Sequence, residues 1–465
     1  MHFRAVGRAP VFEPGRLARR SGTECAGSQQ LKRRGRPGAR LSRRDHAVTP
    51  DDRDRPRYYL IGAAGWPNYG DELIASIWLR YLAEIAPHAD VWLDCQAPGN
   101  ARLLLGTPHP RVNYVDTLWR LSEAAPSGRP WDVAAWVQHA VRDSGHAPRW
   151  GAGIELLRDV DVIHVIGGGY LAGVWPTHIG LLAGAVAAAQ PYTRVAATGQ
   201  GVWPPAPHTE PLLRSLTERF DVVDVRDEPS AELLGGAAAG VTHGGDDVLL
   251  AIDQVLIDRR PVPKYMVCAQ SDTSEFGTEE LAAFVLSWLR SQDVKPEDLG
   301  IVEGIPRADR EVYALFEHAV PGARFYPFQE VWTEGLPVAA GQTWLSTRFH
   351  PHLVAAHGAG GVAISVHSDF YASKHQSLLA LGSPWTMVGK PLPSSVEPPA
   401  PSGFPAGVLS RQRGLKREIA RRVYPAAHSS PRQTASDGAG SGDTGSEPGA
   451  RFSSLRRVRR ALGDR

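Results

Sequence analysis

Arg348 and His350 stand two residues apart in the run Ser346-Thr347-Arg348-Phe349-His350-Pro351-His352. In extended backbone such residues share a face, so the spacing predicts a guanidinium beside an imidazole. That pairing suits an anionic substrate on which a proton must move. Arginine grips carboxylate or phosphate through paired N–H donors, and histidine exchanges a proton near neutrality. A histidine capping a helix would account for one of the two residues but not for both. Further along, Lys374 in Ser365-Val366-His367-Ser368-Asp369-Phe370-Tyr371-Ala372-Ser373-Lys374 offers a second cation. Upstream, Arg226 follows the apolar run Asp221–Val225. It reads either as another anion ligand or as the partner of Asp227 or Glu228.

Glycine clusters supply the remaining candidates. Gly167, Gly168 and Gly169 follow an apolar run and would let backbone N–H groups approach an anion. Gly199-Gln200-Gly201 repeats the pattern more weakly, with Gln200 as a side-chain ligand. The loop from Gly62 to Glu72 is also glycine-punctuated and carries Asn68 and Asp71. Its spacing is neither GxGxxG nor a loop ending in Gly-Lys-Ser/Thr, so no dinucleotide fingerprint or P-loop is present. Asp71 and Glu72 open a helix, where carboxylates complement the helix dipole, and a direct substrate contact is the alternative. Asp246-Asp247 with one nearby histidine does not amount to a metal site and reads as loop and helix capping. Neither a metal nor a cofactor is expected.

These residues need a frame that brings them together. Strand-like runs at 58–62, 91–93, 160–166, 194–198 and 221–225 alternate with helical spacing at 71–86, 130–143, 178–189 and 229–235. A proline-flanked stretch, Arg259-Arg260-Pro261-Val262-Pro263, follows, and the alternation then restarts. Strands are expected at 265–269, 299–302, 323–326, 343–346 and 361–366, and helices at 278–291, 307–319, 350–357 and 373–381. Alternation of this kind predicts parallel sheets covered on both faces. The expected fold is therefore α/β, with two Rossmann-like domains facing a cleft, at 57–258 and 264–390. A Pro/Ser linker and a basic helix should occupy 391–424. A disordered basic extension is expected at 1–56 and a disordered tail at 425–465. In open α/β sheets ligands lie beyond the carboxyl ends of the strands, and the chemistry-bearing residues above follow strands.

Composition narrows the function classes. The chain has 465 residues, 42% hydrophobic and 22% charged, with a net charge of +2. It has enough apolar residues to build cores, and no run approaches the roughly 18 apolar residues of a membrane span. The three cysteines, Cys25, Cys95 and Cys268, are scattered and predict no disulfide framework. No signal-like apolar segment follows the early arginines, so a cytoplasmic protein is expected. The small net charge hides basic ends around an acidic body. Without aromatic interleaving, the basic ends read as solvated extensions rather than a nucleic-acid arm. Leu415, Ile419 and Val423 share one face of the basic helix, which should pack on the body, with peripheral membrane contact as the alternative.

Six short pieces, in order, carry a family resemblance. They are Asn68-Tyr69-Gly70-Asp71-Glu72, Val165-Ile166-Gly167-Gly168-Gly169, Gly199-Gln200-Gly201, Val225-Arg226-Asp227-Glu228-Pro229-Ser230, the Asp246-Asp247 turn, and Arg348-Phe349-His350 with Lys374. Together they resemble the polysaccharide pyruvyl transferase family across about residues 58–385. Gly358-Ala359-Gly360-Gly361-Val362 departs from the Gly-x-Pro the family usually places there. The resemblance implies a GT-B-like fold and a reaction that moves the enolpyruvyl group of phosphoenolpyruvate onto saccharide hydroxyls. The acceptor would be a saccharide or lipid-linked glycan of cell-surface or exopolysaccharide synthesis, and the product a pyruvate ketal. It further implies His350 and Arg348 as catalytic residues, with Arg226, Lys374, Asn68, Asp71, Gly167, Gly168, Gly169 and Gln200 binding substrate. Two other readings share the scaffold: a GT-B glycosyltransferase using a nucleotide sugar, and a non-catalytic sugar- or anion-binding protein. The sequence leaves the acceptor and the oligomeric state open.

Overall fold

The computed structural model describes residues 55–425. The extension and the tail expected to be disordered lie outside them, apart from residues 55, 56 and 425.

The first half runs β1 (Arg57–Ile61), α1 (Tyr69–Ile85), β2 (Asp90–Asp94), α2 (Pro98–Leu105), β3 (Val112–Val115), α3 (Thr117–Ala124), α4 (Pro130–Arg142), α5 (Gly151–Leu157), β4 (Val162–Val165), α6 (Ile179–Ala188), β5 (Arg194–Gln200), α7 (Glu210–Thr217), β6 (Val222–Val225), α8 (Glu228–Leu233) and β7 (Val241–His243). Its seven strands form one sheet in the order β3-β2-β1-β4-β5-β6-β7. Every pairing is parallel, with Tyr58 of β1 opposite Val91 of β2 on one side and Val162 of β4 on the other. Strands β4 and β6 are buried along their whole length, because helices cover both faces of a parallel sheet. Their sequences are therefore largely apolar, with one buried polar residue in each, His164 in β4 and Asp224 in β6.

The second half repeats the plan: β8 (Tyr265–Cys268), α9 (Thr278–Ser291), β9 (Leu299–Val302), α10 (Ala308–Ala314), β10 (Arg324–Tyr326), α11 (Phe328–Glu334), β11 (Thr343–Ser346), α12 (Phe349–Ala355), β12 (Gly360–Ile364), α13 (Phe370–Ala380) and β13 (Thr386–Val388). These six strands are also all parallel, in the order β10-β9-β8-β11-β12-β13. Both orders are those of doubly wound Rossmann sheets, so the expected α/β architecture is the one the chain adopts. Strands β3, β7 and β13 were not foreseen. Each is a short edge strand, half-exposed for most of its length, and carries little of the apolar signal that marks a central strand.

A continuous apolar layer ties the halves together. Leu73 and Ile77 of α1 belong to the same buried cluster as Phe328 and Val331 of α11 and Phe349 and Leu353 of α12. Fully buried rings such as Trp78 and Trp344 anchor it, each contributing about 2–3 kcal/mol of hydrophobic stabilisation. The chain then recrosses to the first half. Helix α14 (Val408–Val423) packs on β5, β6 and the 3-10 segment Asp247–Gln254. Ile419, Ala420 and Val423 are buried there, so this apolar face serves the core rather than a bilayer. Among the described residues no helix is long and apolar enough to cross a membrane.

Candidate active site

Both sheets reverse their winding direction, between β1 and β4 and between β8 and β11. Open α/β sheets leave a ligand crevice at such points. A cavity of about 970 Å³ lies there, lined from the first half by the loop after β1 and by Gly169 and Arg226, and from the second by Asp272, Arg348, His350 and Lys374.

His350 sits in the first turn of α12 and reaches across to the start of α1. A Cβ on Gly70 would fall on its imidazole, so the absence of a side chain at residue 70 is what admits the ring. The Nε2 of His350 lies 3.5 Å from Oδ1 of Asp246. Asp246 also caps the following 3-10 turn, Oδ1 accepting from the Val248 N–H at 2.9 Å. Burial alone would raise this carboxyl, but His350, Arg226 and the Val248 N–H together bring it down to about 2. Asp246 is thus a permanent negative charge behind the imidazole. The sequence showed it as a capping residue; its second contact was invisible there, because β7 and α12 are brought together only by the fold.

Arg226 follows β6 and is 3% exposed. Its ion-pair partners are distant, with Oδ2 of Asp227 and Oδ2 of Asp246 both at 3.7 Å, and its Nε has no hydrogen-bond partner. The guanidinium lies over Phe349, 5.3 Å from the ring centroid. It threads between two glycines: a Cβ on Gly169 would come within 2.7 Å of Nη2, and one on Gly201 within 2.5 Å of Nε. Lys374, on α13, faces the same spot, with its Nζ 3.3 Å from that hypothetical Gly169 Cβ. The Nζ rests 3.2 Å from the Phe370 centroid and 4.2 Å from that of Tyr371. Burial, then the nearby Arg226, push this ammonium well below the usual lysine range against the pull of Asp71. Two buried basic side chains therefore share a pocket without a hydrogen-bonded carboxylate. Such an arrangement is costly unless an anion arrives.

Asp71 and Asn68 stand at the opening of α1. Asn68 is its N-cap, accepting from the Gly70 N–H at 3.1 Å, and its Nδ2 donates to Oδ2 of Asp71 at 2.8 Å. Burial lifts the Asp71 carboxyl to about 6, opposed by His350, Lys374 and Arg226. Its neighbour Glu72 points away and accepts the Gly65 N–H at 2.7 Å.

Arg348 behaves differently from expectation. It is the N-cap of α12 and its side chain turns toward the second sheet rather than along His350. Oδ1 of Asp309 accepts from its Nε at 3.0 Å and its Nη2 at 2.6 Å, and Oδ1 of Asp272 accepts from Nη2 at 2.5 Å. Asp309 is itself fixed by the Gly304 and Ile305 N–H groups at 2.7 and 3.0 Å. Arg348 lines the cleft, but most of its donors are committed to two carboxylates, so its first role is to brace the wall. The shared face expected for Arg348 and His350 fails because the helix starts between them.

The glycine loops also divide. Gly169 lines the cleft, whereas Gly167 and Gly168 lie behind it. The Gly167 N–H donates to Oδ2 of Asp247 at 2.8 Å and the Gly168 N–H to the Gly199 carbonyl at 3.3 Å. Neither is free to cradle an anion. Gln200 is a splint between strands, its Nε2 donating to the carbonyls of Val165, Ile166 and Thr198 at 2.9, 2.8 and 3.0 Å. His367 is not among the residues lining the cavity, its Nδ1 lying 3.5 Å from Oε1 of Glu275. The structure thus gathers Asn68, Asp71, Gly169, Arg226, Arg348, His350 and Lys374 around one cavity and leaves Gly167, Gly168 and Gln200 as its support.

Residues 68–357 match the sequence profile of the family described as Polysaccharide pyruvyl transferase. The chain belongs to that family. The matched span opens at the N-cap Asn68 and closes just after α12, so in this pyruvyl transferase family member it takes in Asp71, Arg226 and His350 and leaves Lys374 outside. No curated protein matches the chain. Among solved structures, a Staphylococcus aureus MnaA–UDP complex is similar at 12% identity, covering 80% of this chain and 90% of that one, with a TM-score of 0.43. The UDP-GlcNAc 2-epimerase of Neisseria meningitidis bound to UDP-GlcNAc is 10% identical, with coverages of 79% and 91% and a TM-score of 0.42. Phytolacca americana UGT2, complexed with UDP-2-fluoro-glucose and pterostilbene, is 12% identical, with coverages of 80% and 92% and a TM-score of 0.40. Likenesses this distant decide nothing about chemistry.

Proposed function

We propose that this chain transfers the pyruvyl group of phosphoenolpyruvate onto hydroxyls of a saccharide or lipid-linked glycan, in cytoplasmic steps of cell-surface or exopolysaccharide synthesis. The observation that carries the reading is the buried pair Arg226 and Lys374, without hydrogen-bonded carboxylates, beside an imidazole backed by Asp246. Phosphoenolpyruvate carries a phosphate and a carboxylate, and the two cations suit one or both. His350 then gives a proton to the methylene carbon, making the adjacent carbon electrophilic, and a saccharide hydroxyl adds to it. Asp71, titrating near 6, is mostly ionised at neutral pH and takes the proton that the hydroxyl loses. Phosphate leaves with the C–O bond electrons and takes up the proton held by Asp71, and a second hydroxyl closes the ketal at the same carbon, its proton returning to His350. Arg348 holds Asp272 and Asp309 in place along the wall.

The test is to incubate the protein with phosphoenolpyruvate and a panel of saccharides, following phosphorus by NMR and the ketal methyl by proton NMR. Acceptor-dependent release of inorganic phosphate with a new methyl singlet is the expected result. Turnover of a nucleotide sugar instead would replace this reading with glycosyl transfer, and binding without turnover of either donor would leave an anion-binding protein.

A further inference from the structure

Two tryptophans at the mouth of the cleft have no part in the donor chemistry. Trp66, in the loop after β1, is 69% exposed, and Trp175, in the loop after β4, is 37% exposed. Both line the cavity that holds Arg226 and Lys374. Neither indole N–H has an acceptor among the described residues, whereas Trp78 and Trp119 behind the same loops are buried and donate to Asp247 and to the Gly62 carbonyl. Large rings held in water at the rim of a charged pocket are unfavourable unless something covers them.

Trp175 is linked to the cationic pocket through one ring. It meets Phe370 edge-on at 5.5 Å, and Phe370 carries the Lys374 Nζ on its ring. On its other side it stacks in parallel with His178 at 6.2 Å, which fixes the plane of the indole. Arg120 and Glu123 of α3 line the same part of the cavity, paired at 2.7 Å and each about half-exposed. A flat apolar surface flanked by a guanidinium and a carboxylate suits a pyranose. Its axial C–H groups present an apolar face, and its hydroxyls ring the edge.

We propose that Trp66 and Trp175 form the acceptor subsite, stacking a hexopyranose of the acceptor so that its hydroxyls point toward Lys374 and His350, with Arg120 and Glu123 bonding the outer hydroxyls. This rests on the pyruvyl-transfer reading for its geometry but not for its test. The probes are methyl β-D-hexopyranosides and lactose, read by saturation-transfer difference NMR on the full chain. In the wild type, ring C–H protons of one sugar face receive saturation. Trp66→Ala and Trp175→Ala each lower saccharide affinity about three- to tenfold, the worth of one ring contact. Phosphoenolpyruvate stabilises both variants against heating as it does the wild type, and in turnover assays the acceptor KM rises while the donor KM holds.

Equal saccharide binding in the wild type and both variants, or no saccharide saturation in the wild type with any probe, overturns the subsite. If phosphoenolpyruvate neither binds nor reacts while the tryptophan-dependent saccharide signal persists, the donor reading fails and the subsite stands. Trp66→Phe and Trp175→Phe separate stacking from folding: a flat ring restores most of the affinity, and failure to do so in folded variants counts against it.

Discussion

His350, from the second half of the chain, occupies the space that a side chain on Gly70 of the first half would need. The two are 280 residues apart in sequence and in contact in the fold. Gly70 is the second residue of α1, just after the N-cap Asn68. Gly70→Ala should lose roughly 1–3 kcal/mol through overpacking and displace the imidazole, lowering turnover about 100-fold or more. A thermal melt beside a steady-state assay checks both. Normal turnover in Gly70→Ala would mean that His350 does not act from this position.

The two cleft arginines should fail in different ways. Arg348→Ala strips Asp309 of its buried partner, and breaking such a pair costs about 3–5 kcal/mol of stability. Arg226→Ala removes a guanidinium with only distant partners, so the melting temperature should fall less. Donor affinity should instead drop about 30- to 150-fold, the value of hydrogen bonds to a charged group. Calorimetric titration with phosphoenolpyruvate, read against the melts, distinguishes them. The opposite ranking would reverse the roles given to the two residues.

Donor binding should take up protons. The Lys374 ammonium is held well below the usual range first by burial and next by Arg226, and an anion docking beside it favours the charged form. Titrations of phosphoenolpyruvate at pH 7.5 in buffers of different ionisation enthalpy should give heats that report net uptake. Lys374→Met should abolish that dependence, and an unchanged slope in this variant would contradict it.

Stability should fall as pH rises from about 7.5 to 8.5. Burial raises Glu72 to about 8, aided by Asp71 and opposed by the Gly65 N–H. Burial likewise raises Asp94 to about 7 against the Tyr59 hydroxyl and the Leu118 N–H. A carboxyl raised in the folded state stabilises it fully below the unfolded value near 4, and that contribution is lost as pH climbs through 7 to 8. Each tenfold change in proton affinity is worth about 1.4 kcal/mol, so the two groups together contribute on the order of several kcal/mol. Asp246, held near 2, works in the opposite sense and only below about pH 4. Melts from pH 7.5 to 8.5 should show a decline, flattened in Glu72→Gln, which keeps the acceptor for Gly65, whereas below about pH 6.5 the buried neutral His164, His352 and His375 make stability rise with pH.

Helix α14 should be indispensable to the first sheet. Lys416 is 1% exposed, and its Nζ donates to Oδ2 of Asp224 at 2.5 Å and Oδ1 of Asp247 at 2.9 Å. Asp247 in turn receives the N–H groups of Gly167 and Trp78 at 2.8 and 2.6 Å. Lys416→Met leaves two buried carboxylates without a cation and should cost about 3–5 kcal/mol, measured by urea unfolding. Adding Asp224→Asn should recover part of that loss. A Lys416→Met protein as stable as the wild type would show that the clasp is not needed.

The sequence alone determined the alternation of strands and helices, the two-sheet plan and the loops that would face a ligand. Buried parallel strands are mostly apolar, and helices keep a 3.6-residue period, so both leave marks in one dimension. Arg226, His350 and Lys374 were legible too, because they follow strands whose carboxyl ends open on the crevice. Which charges meet was decided only by the tertiary structure. Arg348 and Arg226 look alike in sequence, yet Arg348 finds Asp309 and Asp272 at separations of 39 and 76 residues, while Arg226 keeps only distant partners. Gln200 and Gly167 looked like ligands, yet their donors are committed to carbonyls and to Asp247. Asp246 looked like a cap and also stands behind His350. Periodicity records how deeply a residue is buried; the order of strands in the sheets sets which residues meet, and a charge acts through the partner it meets.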